Sequence, residues 1–585
     1  MPPQRAGPFI SAVSHMTLSH LRSILLLPAF ALAACSAGDK AGQSSSTGEV
    51  NATSAWSPNN LTAVNNVPVA ALRTAVGARL AGPRPATVTE DAWGHTKRLY
   101  ARYQQTPLWF EEEGLAKDRA GALTDAVLNV NADAIALDDY PIADLANALV
   151  VLRRTQTPTA EQLADADVLL TATYAALGED LLSGQVDPKS VSQSWHIDAK
   201  DENVDSAPVR TLGQMPLAKA INAMRPQDAD YAALQKDLIR FREIVARGDW
   251  PRVPAGKAVK IGQPDSPQRL AALRARLAAE GIQAAAAPAS GGGVYDAALG
   301  AAVAQFQARH GIAVDSSLGT ETVNSLNVPA AYRLGQIAAN MERKRWMPRE
   351  LPERFVHVNV PAFQLQAFDS GTKTLEMKVI VGQEFEDKAT PVFSDVMETV
   401  VFRPYWNITP DIQAKEVGPK AAANPGYLAA NDMEYYKDGG VTRIRQRPGP
   451  KNSLGYVKFL FPNDFNIYLH DTPNHELFEK DVRAFSHGCI RVEKPDQLAQ
   501  WALGWDAGRV QEAMTQGPDN TPIKLKQKIP VFITYGTAYV RDGQLYFGND
   551  LYHRDDKLVK ATAVGALPSA TAVQRLEALK RIATG

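Results

Sequence analysis

Between residues 86 and 260 the apolar positions recur at helical spacing, which predicts a mainly α-helical block. Ala122, Leu123, Ala126, Val127 and Val130 form one stripe. Val168, Leu169, Ala172, Ala175 and Ala176 form a second, inside the run Leu163 to Leu182. The aromatics between Tyr100 and Trp109 are read as core, and the block as a packing scaffold, because no catalytic constellation falls in it. Residues 261–330 read as a small three-helix unit. Leu270, Leu273 and Leu277 mark its first helix, Ala297 to His310 the second and Gly319 to Leu326 the third, with an Ala/Gly/Ser loop from Ala284 to Gly293. In 331–352, Leu334, Ile337, Met341 and Trp346 amid Arg and Lys predict a connecting amphipathic helix, ended by Pro348.

At residue 353 the period changes to two. Val356, Val358 and Val360 alternate with His357 and Asn359; Leu375, Met377, Val379 and Val381 include Glu376 and Lys378 between them. Asp369-Ser370-Gly371 and Asp542-Gly543 are turn signals, and Phe465, Ile467 and Leu469 predict another strand. Residues 353–548 are therefore a β-rich, β-sandwich-like domain. It is interrupted at 405–455 by a Pro-, Gly- and Asn-rich stretch that reads as an irregular insertion, and followed by a tail, 549–585. The chain is thus multi-domain, as its 585 residues already suggest.

The first 35 residues are different. Arg22 precedes an apolar run through Ile24-Leu25-Leu26-Leu27 to Leu32-Ala33-Ala34-Cys35, too short to span a bilayer as a mature helix. Leu32 to Cys35 resembles a bacterial lipobox, which implies cleavage before Cys35, lipidation of its thiol and a membrane held by that lipid; an ordinary signal peptide is the alternative. Ser36 at the next position favours the outer membrane over inner-membrane retention, and the expected location is the periplasm. Residues 36–85 read as a flexible tether. A formal net charge of -1 and the lack of a basic stripe exclude nucleic acid as a partner. The two cysteines, Cys35 and Cys489, sit in separate motifs and are not read as a disulfide.

The chemistry concentrates at Ser486-His487-Gly488-Cys489-Ile490-Arg491-Val492 and at Tyr468-Leu469-His470-Asp471-Thr472-Pro473. Cysteine attacks as a thiolate and needs a basic or cationic neighbour; His470 and His487 are the candidates. His470 alternates with the apolar positions of its strand and so points away from the core. Gly488 permits close backbone approach, and N–H groups around Gly488 and Cys489 can stabilise an oxyanion. Arg491 falls on the same side as Cys489 in an extended segment, where it can pair with a substrate carboxylate. A zinc site built from His470, His475, His487 and Cys489 matches no common ligand spacing.

These strings resemble the catalytic domain of L,D-transpeptidases, the YkuD family, in which a histidine precedes Ser/Thr-His-Gly-Cys, a variable residue, and Asn or Arg. The resemblance implies Cys489 as nucleophile, His470 (or else His487) as its base, and Ser486, Gly488 and Arg491 as residues that shape the site. Asp471 departs from the Ser or Gly common there, and its relation to His470 stays open. Ala302 to Ile312, continuing through Val314 to Gly319, resembles the peptidoglycan-binding type 1 domain, with Ser316 where that family usually has Gly. Asn340 to Arg343, Arg345-Trp346 and Arg445 to Pro450 resemble strings of large Gram-negative L,D-transpeptidases, whose substrate-capping subdomain 405–455 would be. Trp406, Tyr468 and Asp471 join the substrate-facing candidates. The implied activity is cross-linking of peptidoglycan stem peptides without metal or organic cofactor, with carbapenems as inhibitors. Hydrolysis of the same thioester, attachment of a lipoprotein lysine, and a wall-binding protein with an inactive catalytic domain are the rivals.

Overall fold

The computed structural model describes residues 60–198, 215–283, 293–385, 388–562, 574–575 and 577–581. The lipobox-like run, Cys35 and the tether up to residue 59 lie outside the described residues.

Residues 60–85 are not tether. They hold helix α1, Val69–Ala81, whose Leu72 and Val76 are fully buried. Helices α2 (Glu90–Arg102), α3 (Lys117–Leu128), α4 (Ile142–Arg154) and α5 (Ala160–Ser183) share the same core. A Thr159/Gln162 capping box starts α5, which is buried nearly all round, so a single stripe understates it. The aromatic segment is core: Asp167, fully buried, accepts the N–H groups of Leu108 and Trp109, and Thr171 links the Tyr100 hydroxyl to the Trp109 indole. Burial pushes the Asp167 carboxyl up to about 7.

Helix α6 (Ala229–Ala246) leads to a unit built on α7 (Pro267–Ala279), α8 (Ala297–Arg309) and α9 (Thr320–Leu326), with its own apolar core of Leu273, Leu277, Val303, Phe306 and Leu326. Ser316 holds a positive φ of 58° and donates its N–H to the Gln307 side chain, so the turn keeps the left-handed conformation without glycine. Helix α10, Ala330–Arg345, was expected to be an amphipathic connector and is instead a buried spine. Its polar residues are paired inside the molecule: Glu342 with Arg345, Arg343 with Asp555, and Asn340 with Thr537. Gly184, at φ +87°, makes room for this, since a Cβ there would stand 2.4 Å from the Glu342 carboxylate.

The β region contains β1 (Trp195–His196), β2 (Phe355–Asn359), β3 (Gln364–Asp369), β4 (Thr372–Gly382) and β5 (Val392–Phe402). The insertion supplies β6 (Trp406–Asn407), β7 (Met433–Asp438) and β8 (Val441–Gln446). Then come β9 (Val457–Leu460), β10 (Leu469–His470), β11 (Ala484–Ser486), β12 (Ile490–Val492) and β13 (Thr521–Thr534). Helices α11 (Pro495–Leu503) and α12 (Ala507–Thr515) lie between β12 and β13.

The expected sandwich is replaced by a closed ladder. The order runs β9-β10-β12-β4-β3-β2-β13-β5, and β5 pairs back onto β9. Closure removes the free edges that two separate sheets would leave. Val356, Val358, Leu365, Val379, Val400, Phe459, Leu469 and Ile490 fill its inside. Strand β1, from the helical half of the chain, adds in parallel to β5, and Trp195 packs edge-on to Trp346 at 5.0 Å.

Three further expectations change. The strand through Phe465 shrinks to Leu469–His470, because Asn466 takes a positive φ and the Asn463 amide ties the loop to the carbonyls of Phe461 and Ile467. The 405–455 insertion is a small three-stranded sheet with short helices around Ile408, Val417, Met433 and Ile444, not irregular chain. The 549–585 tail includes helix α13, Asp555–Thr562, whose Leu558 is buried in the β core. Strands β14 (Ala538–Arg541) and β15 (Gln544–Phe547) form a hairpin in which Asp542 and Gly543 both have positive φ; it packs on α6 and α10.

Candidate active site

The site is assembled by strand register. β10 and β12 are parallel, with Leu469 opposite Ile490 and His470 opposite Arg491; β9 is antiparallel to β10, with Lys458 opposite His470. Paired residues share a face, so Lys458, His470 and Arg491 form one row away from the Phe459, Leu469 and Ile490 core. Cys489 precedes Ile490, and Tyr468 precedes Leu469. Alternation therefore brings both to the same face as the row. The Ile490 N–H donates to the Tyr468 carbonyl at 3.1 Å, which fixes the two segments side by side.

Cys489 is half-buried, and its Sγ lies 3.6 Å from the Asn466 carbonyl oxygen. Burial pushes the thiol up to about 11, against the pull of the Tyr468 backbone N–H and phenol, which donate to the sulfur, and of Arg491 and Lys458. The phenol stays protonated, held well above its ordinary range by burial and then by the sulfur.

His470 is buried, and its Nδ1–H donates to the Asp471 carbonyl oxygen. A carbonyl only accepts, so this bond leaves Nε2 as the lone-pair nitrogen. Burial first, then Arg491, depresses the ring to about 3, so His470 is neutral. Asp471 orients His470 through its backbone. Its carboxylate is spent elsewhere, accepting the N–H groups of Tyr456 at 2.8 Å and Thr472 at 2.7 Å.

The other predicted residues fall into two sets. Ser486 is a clamp: its hydroxyl donates to the Cys489 carbonyl and accepts the Gly488 N–H at 3.2 Å. That uses the Gly488 N–H expected for an oxyanion, which leaves the N–H of Cys489 itself as the candidate donor. Gly488 sits at φ +109°, a conformation L residues rarely adopt. His487 is exposed and engaged with the Glu416 carboxylate of the 405–455 insertion at 2.6 Å, and Lys388 reaches the same carboxylate at 3.6 Å. Trp406 packs within the insertion core, not against the cysteine.

Three residues that serve the site were not read from the sequence. Lys458 is one, Glu416 is the second, and the third is Thr390, fully buried, whose hydroxyl donates to the Gly488 carbonyl at 2.9 Å and accepts the Gly382 N–H. Tyr552, from the C-terminal segment, donates its hydroxyl to the Gly382 carbonyl at 2.7 Å. A Lys on an alternating strand and a Thr before a Pro carry no local signal; only the pairing reveals them.

Residues 353–531 match the L,D-transpeptidase catalytic domain (YkuD). Residues 94–238 match the scaffold domain, and 266–326 the family described as "Putative peptidoglycan binding domain" (PG_binding_1). The chain thus carries a catalytic domain of the YkuD L,D-transpeptidase family together with a PG_binding_1 domain. A Haemophilus influenzae protein named "Putative L,D-transpeptidase" is 32% identical over 272 residues, covering 42% of this chain and 54% of the relative. The chain therefore spans about half the length of that curated relative. A solved L,D-transpeptidase fragment from Xylanimonas cellulosilytica shares 16% identity, with 48% of this chain and 99% of that one covered at a TM-score of 0.15. A solved avibactam carbamoyl enzyme shares 11% identity, with 34% and 61% covered at a TM-score of 0.15.

Proposed function

We propose that the protein is a peptidoglycan L,D-transpeptidase that forms 3-3 cross-links between stem peptides through a Cys489 thioester. The observation that carries this reading is the shared face of Cys489, Tyr468, His470 and Arg491, with the His470 tautomer set so that Nε2 accepts a proton. The thiol gives its proton to Nε2 as the sulfur attacks the carbonyl of the third, diamino acid residue of a donor tetrapeptide. The Cys489 N–H and the Tyr468 phenol are the donors available to the oxyanion. The imidazolium protonates the departing D-Ala amine, and the C–N bond breaks to leave a thioester. The side-chain amine of an acceptor stem then attacks, His470 takes its proton, and the thiolate leaves. The 405–455 insertion, fastened to His487 through Glu416, caps the donor. The PG_binding_1 domain holds the enzyme on the wall.

The test is to digest walls with a muramidase, with and without the protein, and identify the muropeptides. Cross-linked dimers joined through two diamino acids are expected to rise. Accumulation of tripeptides alone would mean that water is the acceptor, and an attached lipoprotein peptide would name a lysine instead.

We also propose that the mature chain begins at a lipidated Cys35 on the periplasmic side of the outer membrane, on the strength of Leu32 to Cys35. Mass spectrometry of the N-terminal peptide is expected to find diacylglycerol on that sulfur; an unmodified Cys35 or cleavage elsewhere rejects it.

A further inference from the structure

Among the described residues, two cations face the sulfur without a counter-charge. Lys458 and Arg491 flank His470 in the same register row, one on each neighbouring strand. Among the described residues neither forms an ion pair with a carboxylate, whereas Arg225, Arg343, Arg345 and Arg445 each do. The Arg491 Nε is buried with no hydrogen-bond partner. The Lys458 ammonium lies 5.7 Å from the centre of the Tyr468 ring, whose hydroxyl reaches the sulfur. Burial lowers the Lys458 ammonium from its ordinary range, and the sulfur is the group that opposes this. In the resting enzyme the thiol is neutral, so among the described residues no anion offsets these two charges. Desolvated, unpaired cations are costly, and such a pair is held for an anion that arrives with the substrate.

We propose that Lys458, with Arg491, clamps the C-terminal carboxylate of the donor stem and so selects donors whose chain ends one residue beyond the attacked carbonyl. The inference rests on the transpeptidase reading above and adds to it a specificity residue. The cations stand at a fixed place beside the nucleophile. A donor longer by one residue carries its carboxylate about 3.5 Å further away and misses the clamp. The same carboxylate, once bound, offsets the two charges that, after burial, hold the His470 ring neutral.

The experiment compares a disaccharide-tetrapeptide donor bearing a free C-terminal carboxylate with the same donor as its C-terminal carboxamide. It is run on the full chain as wild type, Lys458→Met and Lys458→Arg. Wild type is expected to lose about tenfold to a hundredfold in kcat/KM on the carboxamide, mostly through KM. Lys458→Met keeps the apolar stem but should reduce that discrimination by about tenfold, and Lys458→Arg should restore it. A lysine that only tuned the thiol, or only packed, would move both donors equally and leave their ratio unchanged. Alkylation of Cys489 by neutral iodoacetamide, with the thermal midpoint, reports the fold and the sulfur of each variant. Undiminished discrimination in Lys458→Met, or a wild type indifferent to the carboxamide, overturns the clamp alone. A wild type that turns over neither donor overturns the transpeptidase reading, and the clamp with it.

Discussion

Cys489→Ala is expected to abolish thioester formation, with a fall in kcat of about 10⁴ or more, while the fold survives. In the proposed mechanism the sulfur forms the covalent intermediate, and Tyr468, His470 and Arg491 act through it. The structural cost is small. The thiol is half-buried, and the loop around it is held by contacts that alanine keeps. These are the Ser486 hydroxyl on the residue 489 carbonyl, the Thr390 hydroxyl on the Gly488 carbonyl, and the Ile490 N–H on Tyr468. Losing one sulfur there should lower stability by about 1 kcal/mol or less, a few degrees in the midpoint. Turnover of a tetrapeptide donor and intact mass after exposure to a carbapenem, read beside a thermal melt, check this. A variant that folds, acquires the adduct and turns over donor would remove Cys489 from the mechanism.

The reach of the sequence depended on how local each signal is. Ser486 to Arg491 was legible because the thiol, its hydroxyl clamp and a cation are neighbours in the chain, and a glycine at φ +109° leaves a glycine in the text. The period-two runs of β2 and β4 were legible because Val356, Val358, Met377, Val379 and Val381 recur at every second position in the core. Closure of the sheet was not. It depends on β9, four residues long, pairing with both β5 and β10, and on β1 joining from far upstream. Helix α1 was read together with the Ser-, Gly- and Ala-rich stretch before it, although Val69, Leu72 and Val76 recur at helical spacing and are buried, Leu72 and Val76 in the core shared with α5. The spine α10 read as amphipathic because its charges were counted as solvated. In fact Arg343, Arg345 and Glu342 are buried and paired, Arg343 with a carboxylate 212 residues away in sequence.

Lys458 and Glu416 show the same limit at the site. Each reaches the site only when another segment is brought beside it: β10 beside Lys458, and the Ser486-His487-Gly488-Cys489 loop beside Glu416. Asp471 is a different case. Its relation to His470 was open in the sequence; the carbonyl does the orienting and the carboxylate is tied to Tyr456 and Thr472.

Replacing His470 with alanine is expected to slow acylation of Cys489 by a carbapenem by about 10²- to 10⁴-fold near neutral pH, and by progressively less in alkali. With the ring held near 3 and the thiol near 11, the resting pair is thiol and neutral imidazole, so almost no thiolate waits at neutral pH. The sign follows from those two positions. His470 is in its accepting form at every pH above about 3, so wild type should show no loss of rate as pH falls through 6.5, where an ordinary histidine would be protonated. In the variant the attacking species must be pre-formed thiolate. Its fraction rises about tenfold per pH unit below the thiol's own titration, so the gap to wild type should close at that slope. A ring so strongly depressed is a poor base alone. The depression comes from burial and from Arg491 and Lys458, and a carboxylate settling between those cations lets the ring recover basicity when the reacting carbonyl is in place. Carbapenems carry such a carboxylate, so they report on the same event. A rate-versus-pH series of adduct formation, followed by intact mass for wild type and His470→Ala, decides it. Equal rates at neutral pH would take the proton away from His470. His487 would then have to leave Glu416 to accept it, and Glu416→Gln would become the variant that changes the rate.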